Sequence, residues 1–142
     1  MPTVKKFVRT IQIHFRDADP AGIMYFANIF SMAHDTFEHF IQEAGLSWAE
    51  WFNERKYFVP IRHCESNFLS PLLPGQTYDI KVHVESISTS SFCMFYSFEK
   101  AGQLHAQVKM THTFVDPKNK KKTTVPDSIK SILQPYLQGH HG

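Results

Sequence analysis

Two aspartates, Asp17 and Asp19, stand in the stretch DADPAGI, residues 17–23, between a strand-like segment and an apolar helical one. Its proline and glycine predict a turn. A helix N-terminus presents backbone N–H groups without intrahelical partners and a partial positive charge. Thioester hydrolysis requires such donors to hold the developing oxyanion, and a carboxylate that attacks or deprotonates water. The pattern therefore favours acyl chemistry, with Asp17 expected to cap the helix or a turn instead.

Other common chemistries find no support in the sequence. It contains no Gly-x-Ser-x-Gly elbow, and its six glycines form no phosphate-binding loop. The nine histidines are scattered, and His34 and His39 lie five residues apart, which separates them around a helix. We therefore expect no metal and no cofactor. The net charge of +2 gives no indication of a nucleic-acid partner.

Hydrophobic periodicity predicts the elements that position the aspartates. Residues 7–16 alternate as a half-buried strand, and an apolar stripe over residues 29–44, closed by Gly45, predicts a long helix. Residues 46–58, with Trp48, Trp51 and Phe52, predict either a short helix or a packed loop. Strand patterns follow at 61–69, 78–87, 92–99 and 104–115, with a hairpin turn at 100–103 and a terminal helix within 126–137.

This order of elements predicts an α+β fold, in which an antiparallel sheet packs against one long apolar helix. The length of 142 residues predicts a single domain over residues 1–142. No stretch approaches the roughly 20 apolar residues of a membrane helix, and no export signal is evident. Cys64 and Cys93 are expected to be buried free thiols in the cytoplasm, with a disulfide as the alternative.

The stretch at 17–23 resembles the signature of the 4-hydroxybenzoyl-CoA thioesterase family, within the hotdog superfamily. The resemblance covers most of the chain, including the helix after the motif and residues 60–61, 68–75 and 125–126. It implies a hotdog fold, with about five antiparallel strands wrapped around one long central helix. It also implies that Asp19 is the nucleophile or general base, and that a backbone N–H of Tyr25 or Phe26 holds the oxyanion. Gly22, in the motif itself, is expected to contact the substrate.

The chain departs from the family pattern at two positions. His34 stands where many relatives carry an acidic residue, and Phe26 stands where many carry a histidine. We expect His34 to contact the substrate. The turn at 88–91 also lacks the arginines that some relatives use, so the phosphates of coenzyme A must be bound elsewhere. The candidates are Lys121 and Lys122, in the basic run 118–122; the alternative is a solvated loop tip.

The resemblance implies an acyl-CoA thioesterase that releases a carboxylic acid and coenzyme A. Two alternatives stay open: a thioesterase acting on acyl-carrier-protein thioesters, and a non-catalytic hotdog module that binds acyl-CoA or supports oligomerisation. A single short sheet leaves an open edge, so self-association is expected, and the resemblance implies homodimers or homotetramers with sites shared across the interface. Neither a nucleic acid nor a membrane is expected as a partner.

Overall fold

The computed structural model describes residues 4–47, 49–53 and 57–138. This part of the chain contains five strands and two helices, in the order predicted: β1 Phe7–Gln12, α1 Asn28–Glu43, β2 Ile61–Phe68, β3 Thr77–Ile87, β4 Ser91–Lys100, β5 Gln103–Thr113 and α2 Asp127–Leu133. Short helical turns add Phe15–Asp17, Ala49–Asn53 and Gln134–Tyr136.

All five strands form one antiparallel sheet in the order β1-β3-β4-β5-β2, so β1 and β2 are its edges. The predicted hairpin between β4 and β5 is confirmed. Its turn residues, Ala101 and Gly102, have φ angles of 51° and 78°, the sign that two-residue hairpins need to match the twist of the strands.

Helix α1 packs on the inner face of the sheet through the predicted stripe. The ring of Phe37 lies 6.1 Å from that of Phe92 on β4, and the ring of Phe40 lies 5.9 Å from that of Phe7 on β1. At its C-terminal end, Gly45 has a φ of 113°. The N–H of the next residue, Leu46, donates to the Ile41 carbonyl at 2.8 Å, which is how a left-handed glycine closes a helix. The helix buries six side chains: Ile29, Ala33, Thr36, Phe37, Phe40 and Ile41.

Strand β2 lies at the edge of the sheet, where α1 contacts it but leaves the inward-facing Cys64 and Phe68 exposed. Cys64 pairs with Met110 of β5, and Phe68 pairs with Ala106, so each pair points to the same face. Met110 and Ala106 are buried, whereas Phe68 is 39 % exposed and Cys64 is exposed. The prediction that both cysteines are buried is therefore wrong for Cys64, and Cys93 is only half-buried, although both thiols are free.

Three segments differ in detail from the sequence prediction. β1 ends at Gln12 instead of continuing to residue 16, because residues 15–17 form a helical turn closed by the Asp17 N–H on the His14 carbonyl at 2.9 Å. Residues 49–53 form a single π-helical turn that buries Trp51, while Trp48 and the side chain of Phe52 lie outside the description. α2 gives way to a tighter turn at Gln134, next to a proline that cannot continue the hydrogen-bond ladder.

Candidate active site

The aspartate stretch folds into a small hairpin between β1 and α1. Ala18 pairs with Met24, the Asp19 N–H donates to the Ile23 carbonyl at 2.9 Å, and the Gly22 N–H donates to the Asp19 carbonyl at 3.0 Å. Pro20 fixes φ at the second position of this turn, and Gly22 has a φ of 80° at the fourth, where a side chain is disfavoured. The motif therefore specifies one turn geometry, and Asp19 opens it.

The Asp19 carboxylate is half-buried at the start of this turn. Its Oδ1 atom accepts the Ala21 N–H at 2.8 Å, as in an Asx turn. Among residues 4–47, 49–53 and 57–138, no group donates to the other oxygen, Oδ2. One oxygen thus orients the carboxylate, and the other is open to a ligand or to water.

Asp17 accepts hydrogen bonds from three neighbouring residues. Its Oδ2 atom accepts the His14 N–H at 2.9 Å. Its carbonyl accepts the Tyr25 N–H at 2.8 Å and the Asn28 side-chain amide at 2.9 Å. Asp17 therefore joins the end of β1, the hairpin and the first residue of α1. This agrees with the expectation that it caps a turn, although the turn is that of residues 15–17.

The start of α1 presents one of the two backbone donors predicted for the oxyanion. The Tyr25 N–H is taken by the Asp17 carbonyl. The Phe26 N–H has no acceptor in the described part of the chain, and Ala27, at the N-cap, has no side chain that could cap the helix. A free N–H at this position belongs to the partial positive end of the helix dipole, which favours a negatively charged acceptor. Phe26 is therefore the better placed of the two donors.

Exposed apolar side chains gather at the same end of the sheet. The loop after β2 lies beside the aspartate hairpin, because the Met24 N–H donates to the Leu72 carbonyl at 2.8 Å. Of nine large exposed hydrophobic residues in the described ranges, these two loops and the end of β2 carry six: Phe15, Tyr25, Phe26, Phe68, Leu69 and Leu73. Clustering of this kind marks a binding surface for an apolar ligand or for another protein chain.

His34 lies on α1, farther from the Asp19 end of the sheet than Asn28, the first residue of the helix. At the helical rise of 1.5 Å per residue, the two are about 9 Å apart along the helix axis. Its Nδ1 atom is 3.8 Å from the Glu38 carboxylate, and its side chain is 39 % exposed. It faces an open groove of about 610 Å³ between α1 and the sheet, with Phe30 and Ile61 among its walls. His34 and Phe30 are four residues apart and share one helix face, which continues toward Phe26.

Lys121 and Lys122 lie at the opposite end of the sheet. They are exposed on the loop after β5, which is closed by the Asp116 N–H on the Lys121 carbonyl at 2.8 Å and by pairing of Val115 with Lys122. The segment that precedes β2 pairs with the start of the lysine loop. The other end of β2 lies near the aspartate hairpin. β2 has eight residues, so the two ends are separated by about 24 Å. One protomer does not bring the lysines to Asp19.

His112 is a buried polar residue that the sequence analysis did not single out. Its ring stacks on that of Phe37, with the centroids 4.5 Å apart, and on that of Phe92, with the centroids 4.9 Å apart. Burial, with a smaller contribution from His34, lowers the pKa of His112 to about 3. Its Nε2 atom is buried, and no described residue forms a hydrogen bond with it. The period-two pattern of β5 through Met110 would have placed it inside, since His112 follows at the next inward position.

Within the described ranges, no three His, Cys, Asp or Glu side chains come together as a metal site. The helices of those ranges include none with the length and apolar character needed to cross a membrane.

Comparison with known proteins places this arrangement in a family. The family model of the Thioesterase-like superfamily matches residues 13–133. The 1,4-dihydroxy-2-naphthoyl-CoA hydrolase of Microcystis aeruginosa is 30 % identical over 121 residues, covering 85 % of this chain and 88 % of that protein.

Two solved structures share the fold at lower sequence identity. The 1,4-dihydroxy-2-naphthoyl-CoA thioesterase from Synechocystis has a TM-score of 0.84 and 23 % identity, covering 92 % of this chain and 96 % of its own. The 4-hydroxybenzoyl CoA thioesterase from Pseudomonas sp. strain CBS-3 has a TM-score of 0.78 and 21 % identity, covering 89 % and 98 %.

The five-stranded antiparallel sheet with a long helix on its inner face is the hotdog fold, and the predicted fold class is confirmed. The class of protein is that of the thioester hydrolases, as the sequence predicted. The chain belongs to the Thioesterase-like superfamily.

Proposed function

We propose that this protein hydrolyses aromatic acyl-CoA thioesters to an aromatic carboxylic acid and coenzyme A. The observation that carries the proposal is the position of Asp19. Its carboxylate has one open oxygen, in a rigid turn, at the end of the sheet where the Phe26 N–H is free and apolar side chains are exposed. This combines a base or nucleophile, an oxyanion donor and a surface for an apolar acyl group.

In the proposed reaction, the thioester carbonyl accepts the Phe26 N–H. Asp19 either removes a proton from a water molecule that attacks the carbonyl carbon, or attacks that carbon itself to form an anhydride that water then hydrolyses. In both routes the carbonyl oxygen becomes negative, and the N–H at the helix terminus stabilises it. The carbon–sulfur bond then breaks, and the thiolate of coenzyme A leaves and takes up a proton.

An aromatic acyl group is supported by the side chains near Asp19. Tyr25 and Phe26 are 44 % and 60 % exposed, and their ring centroids lie 5.0 Å apart. They offer flat apolar faces to a planar ring. The Microcystis and Pseudomonas relatives are both named for aromatic acyl-CoA substrates. The groove that His34 faces offers space for more of the acyl group on the same face of the helix. Gly22 is exposed in the turn of the aspartate hairpin.

Self-association is part of the proposal, because β2 leaves an unpaired backbone edge and an uncovered inner face at Cys64 and Phe68. A second copy related by a two-fold axis would pair its own β2 antiparallel to this one. Such pairing sets the Ile61 end of one strand beside the Phe68 end of the other. Lys121 and Lys122 of each protomer would then lie near the other protomer's Asp19, where they can bind coenzyme A phosphates. The two free thiols also agree with a reducing compartment such as the cytoplasm.

The direct test is a thiol-release assay of the purified protein over a panel of thioesters. The panel contains aromatic and straight-chain acyl-CoAs, the matching acyl-pantetheines and an acyl-carrier-protein thioester. We expect the highest kcat/KM with an aromatic acyl-CoA. Preference for the carrier-protein thioester would show that the protein is a thioesterase of acyl-carrier-protein substrates. Binding of acyl-CoA without thiol release would show a non-catalytic module.

A further inference from the structure

A second cavity, of about 560 Å³, lies at the lysine end of the protomer and outside the Asp19 site. Three aromatic residues, Trp51, Tyr57 and Phe58, line it together with Pro60, Pro117 and Lys120. Its volume falls within the range of small-molecule sites, roughly 300–1,000 Å³. The combination of flat rings and a cation suits a ligand that is planar and anionic.

The inner wall of this cavity is fixed by the core. Trp51 is buried, and its ring packs edge-on against that of Phe114 at 6.2 Å. The Tyr57 ring packs edge-on against the same phenylalanine at 5.9 Å. Phe58 differs, because 45 % of it is exposed while its backbone carbonyl accepts the Val115 N–H at 2.9 Å. The backbone therefore holds one ring at the cavity in a position that a ligand can reach.

The lysine loop is also held in a defined conformation. Lys120 has a φ of 63°, a left-handed value that is unfavourable for a residue with a side chain. The loop keeps it there, since the Lys120 N–H donates to the Asp116 carbonyl at 2.9 Å and the Lys121 N–H donates to the Asn119 side chain at 2.9 Å. The Lys120 ammonium lies 5.2 Å from the centre of the Phe58 ring. These contacts hold the lysine loop in one backbone conformation, which argues against the alternative that it is merely a solvated loop tip.

We propose that this cavity binds the adenine ring of coenzyme A, stacked on Phe58, with Lys120 on the adjacent 3′-phosphate. Coenzyme A carries a planar base and phosphates at the end opposite its thiol, which is the chemistry that the cavity offers. Base–aromatic stacking supplies binding without a hydrogen-bond code, and the ammonium can leave the Phe58 ring for a phosphate oxygen. The inference rests on the proposed function, and it names the part of the substrate that the lysine end recognises.

Comparison of acyl-CoA with the acyl-pantetheine of the same acyl group tests this assignment, because the second substrate lacks the nucleotide. Phe58→Ala is expected to raise KM for acyl-CoA by about fivefold or more, the low end of what the loss of one stacked base costs. Lys120→Ala is expected to raise the same KM several-fold, because it removes a charged contact to phosphate. Neither change alters KM for acyl-pantetheine, and Phe58→Tyr keeps the wild-type values. The matched controls are Val8→Ala, an exposed apolar residue on the other edge strand, and Lys130→Ala on α2.

Equal effects on both substrates, or no effect on either, would overturn the inference while leaving the hydrolase in place. A wild-type protein that hydrolyses neither substrate would contradict the proposed function instead. In that case, calorimetric titration with adenosine 3′,5′-bisphosphate still decides the cavity: binding by the wild type that is lost in Phe58→Ala supports it, and no binding by the wild type refutes it.

Discussion

The Asp19 end of the sheet carries a carboxylate set in a tight turn among exposed apolar side chains, whereas the lysine end carries exposed cations above a buried aromatic cluster. The two ends suit the two ends of an acyl-CoA molecule, one reactive and apolar, the other anionic. They are about 24 Å apart along β2 of one protomer. Under the proposed function, turnover depends on the Asp19 end and substrate affinity on the lysine end, and a second copy of the chain would have to join them.

The largest expected effect is the loss of turnover in Asp19→Asn. The variant keeps the size of the side chain and an oxygen that can accept the Ala21 N–H, but it removes the negative charge. We expect kcat to fall by about a hundredfold or more, in line with the loss of a positioned acid–base group, with little change in melting temperature. Thiol release on the preferred acyl-CoA measures it.

The matched control for this prediction is Asp17. Asp17→Asn should keep most of the activity, because an amide oxygen can still accept the His14 N–H. Asp17→Ala should lower the free energy of unfolding by roughly 0.5–2 kcal/mol, as loss of a cap does. Near-normal turnover in Asp19→Asn, or an equal loss in Asp17→Asn, would refute the assignment of Asp19.

The next effect concerns stability near the lysine end, where the buried His112 ring stacks on Phe37 and on Phe92. In the folded protein its pKa is about 3, whereas an unfolded histidine titrates near 6.5. Between these values the unfolded state binds more protons, so stability falls as pH falls, by about 1.4 kcal/mol per pH unit below 6.5. From pH 6.5 to pH 5 this single group is expected to cost about 2 kcal/mol.

The variant that checks this value is His112→Phe, measured by urea unfolding at pH 7.5, 6.5 and 5. The phenyl ring can stack with the same neighbours and leaves no buried nitrogen without a partner. We expect equal or higher stability at pH 7.5 and a shallower decline toward pH 5. Parallel pH profiles for the two proteins would show that His112 is not the group responsible.

A smaller effect is expected at the lysines themselves. Lys121→Ala with Lys122→Ala should raise KM for acyl-CoA several-fold while kcat stays nearly unchanged, since uniform binding affects only KM. Salt should have the same effect on the wild-type enzyme, because the ammonium groups are exposed and screened. If neither the substitutions nor ionic strength changes KM, these two lysines do not bind the phosphates.

The smallest effect tests whether the two ends meet across two protomers. Asp19→Asn protomers are mixed and refolded with Lys121→Ala/Lys122→Ala protomers. If each site takes Asp19 from one copy and the lysines from the other, random pairing restores about one quarter of the wild-type low-KM sites. A site built within one protomer would give none. Light scattering that showed only a 16.5 kDa monomer would exclude the shared site altogether.

Local patterns in the sequence predicted most of the helices and strands. Alternation predicted the strands, since a strand with one buried face must repeat every two residues. The stripe through Phe37 and Phe40 predicted α1, and Gly45 predicted its end. The boundaries of β1 and α2 were less predictable, because a side-chain cap from Asp17 and a proline at residue 135 decided them. The exposure of Cys64 was missed, since a period-two pattern does not say how far a helix extends over a sheet.

The sequence by itself determined the Asp19 turn, because its proline and glycine restrict the backbone without help from distant residues. It also determined the family, through the motif at 17–23 and a match that extends over residues 13–133. Only the tertiary structure decided which backbone donor is free, since that depends on Asp17 bonding Tyr25 across a hairpin. The distance between Asp19 and the lysines was likewise set by the sheet. Strand pairing places these two segments at opposite ends of the sheet, and no local sequence pattern encodes that separation.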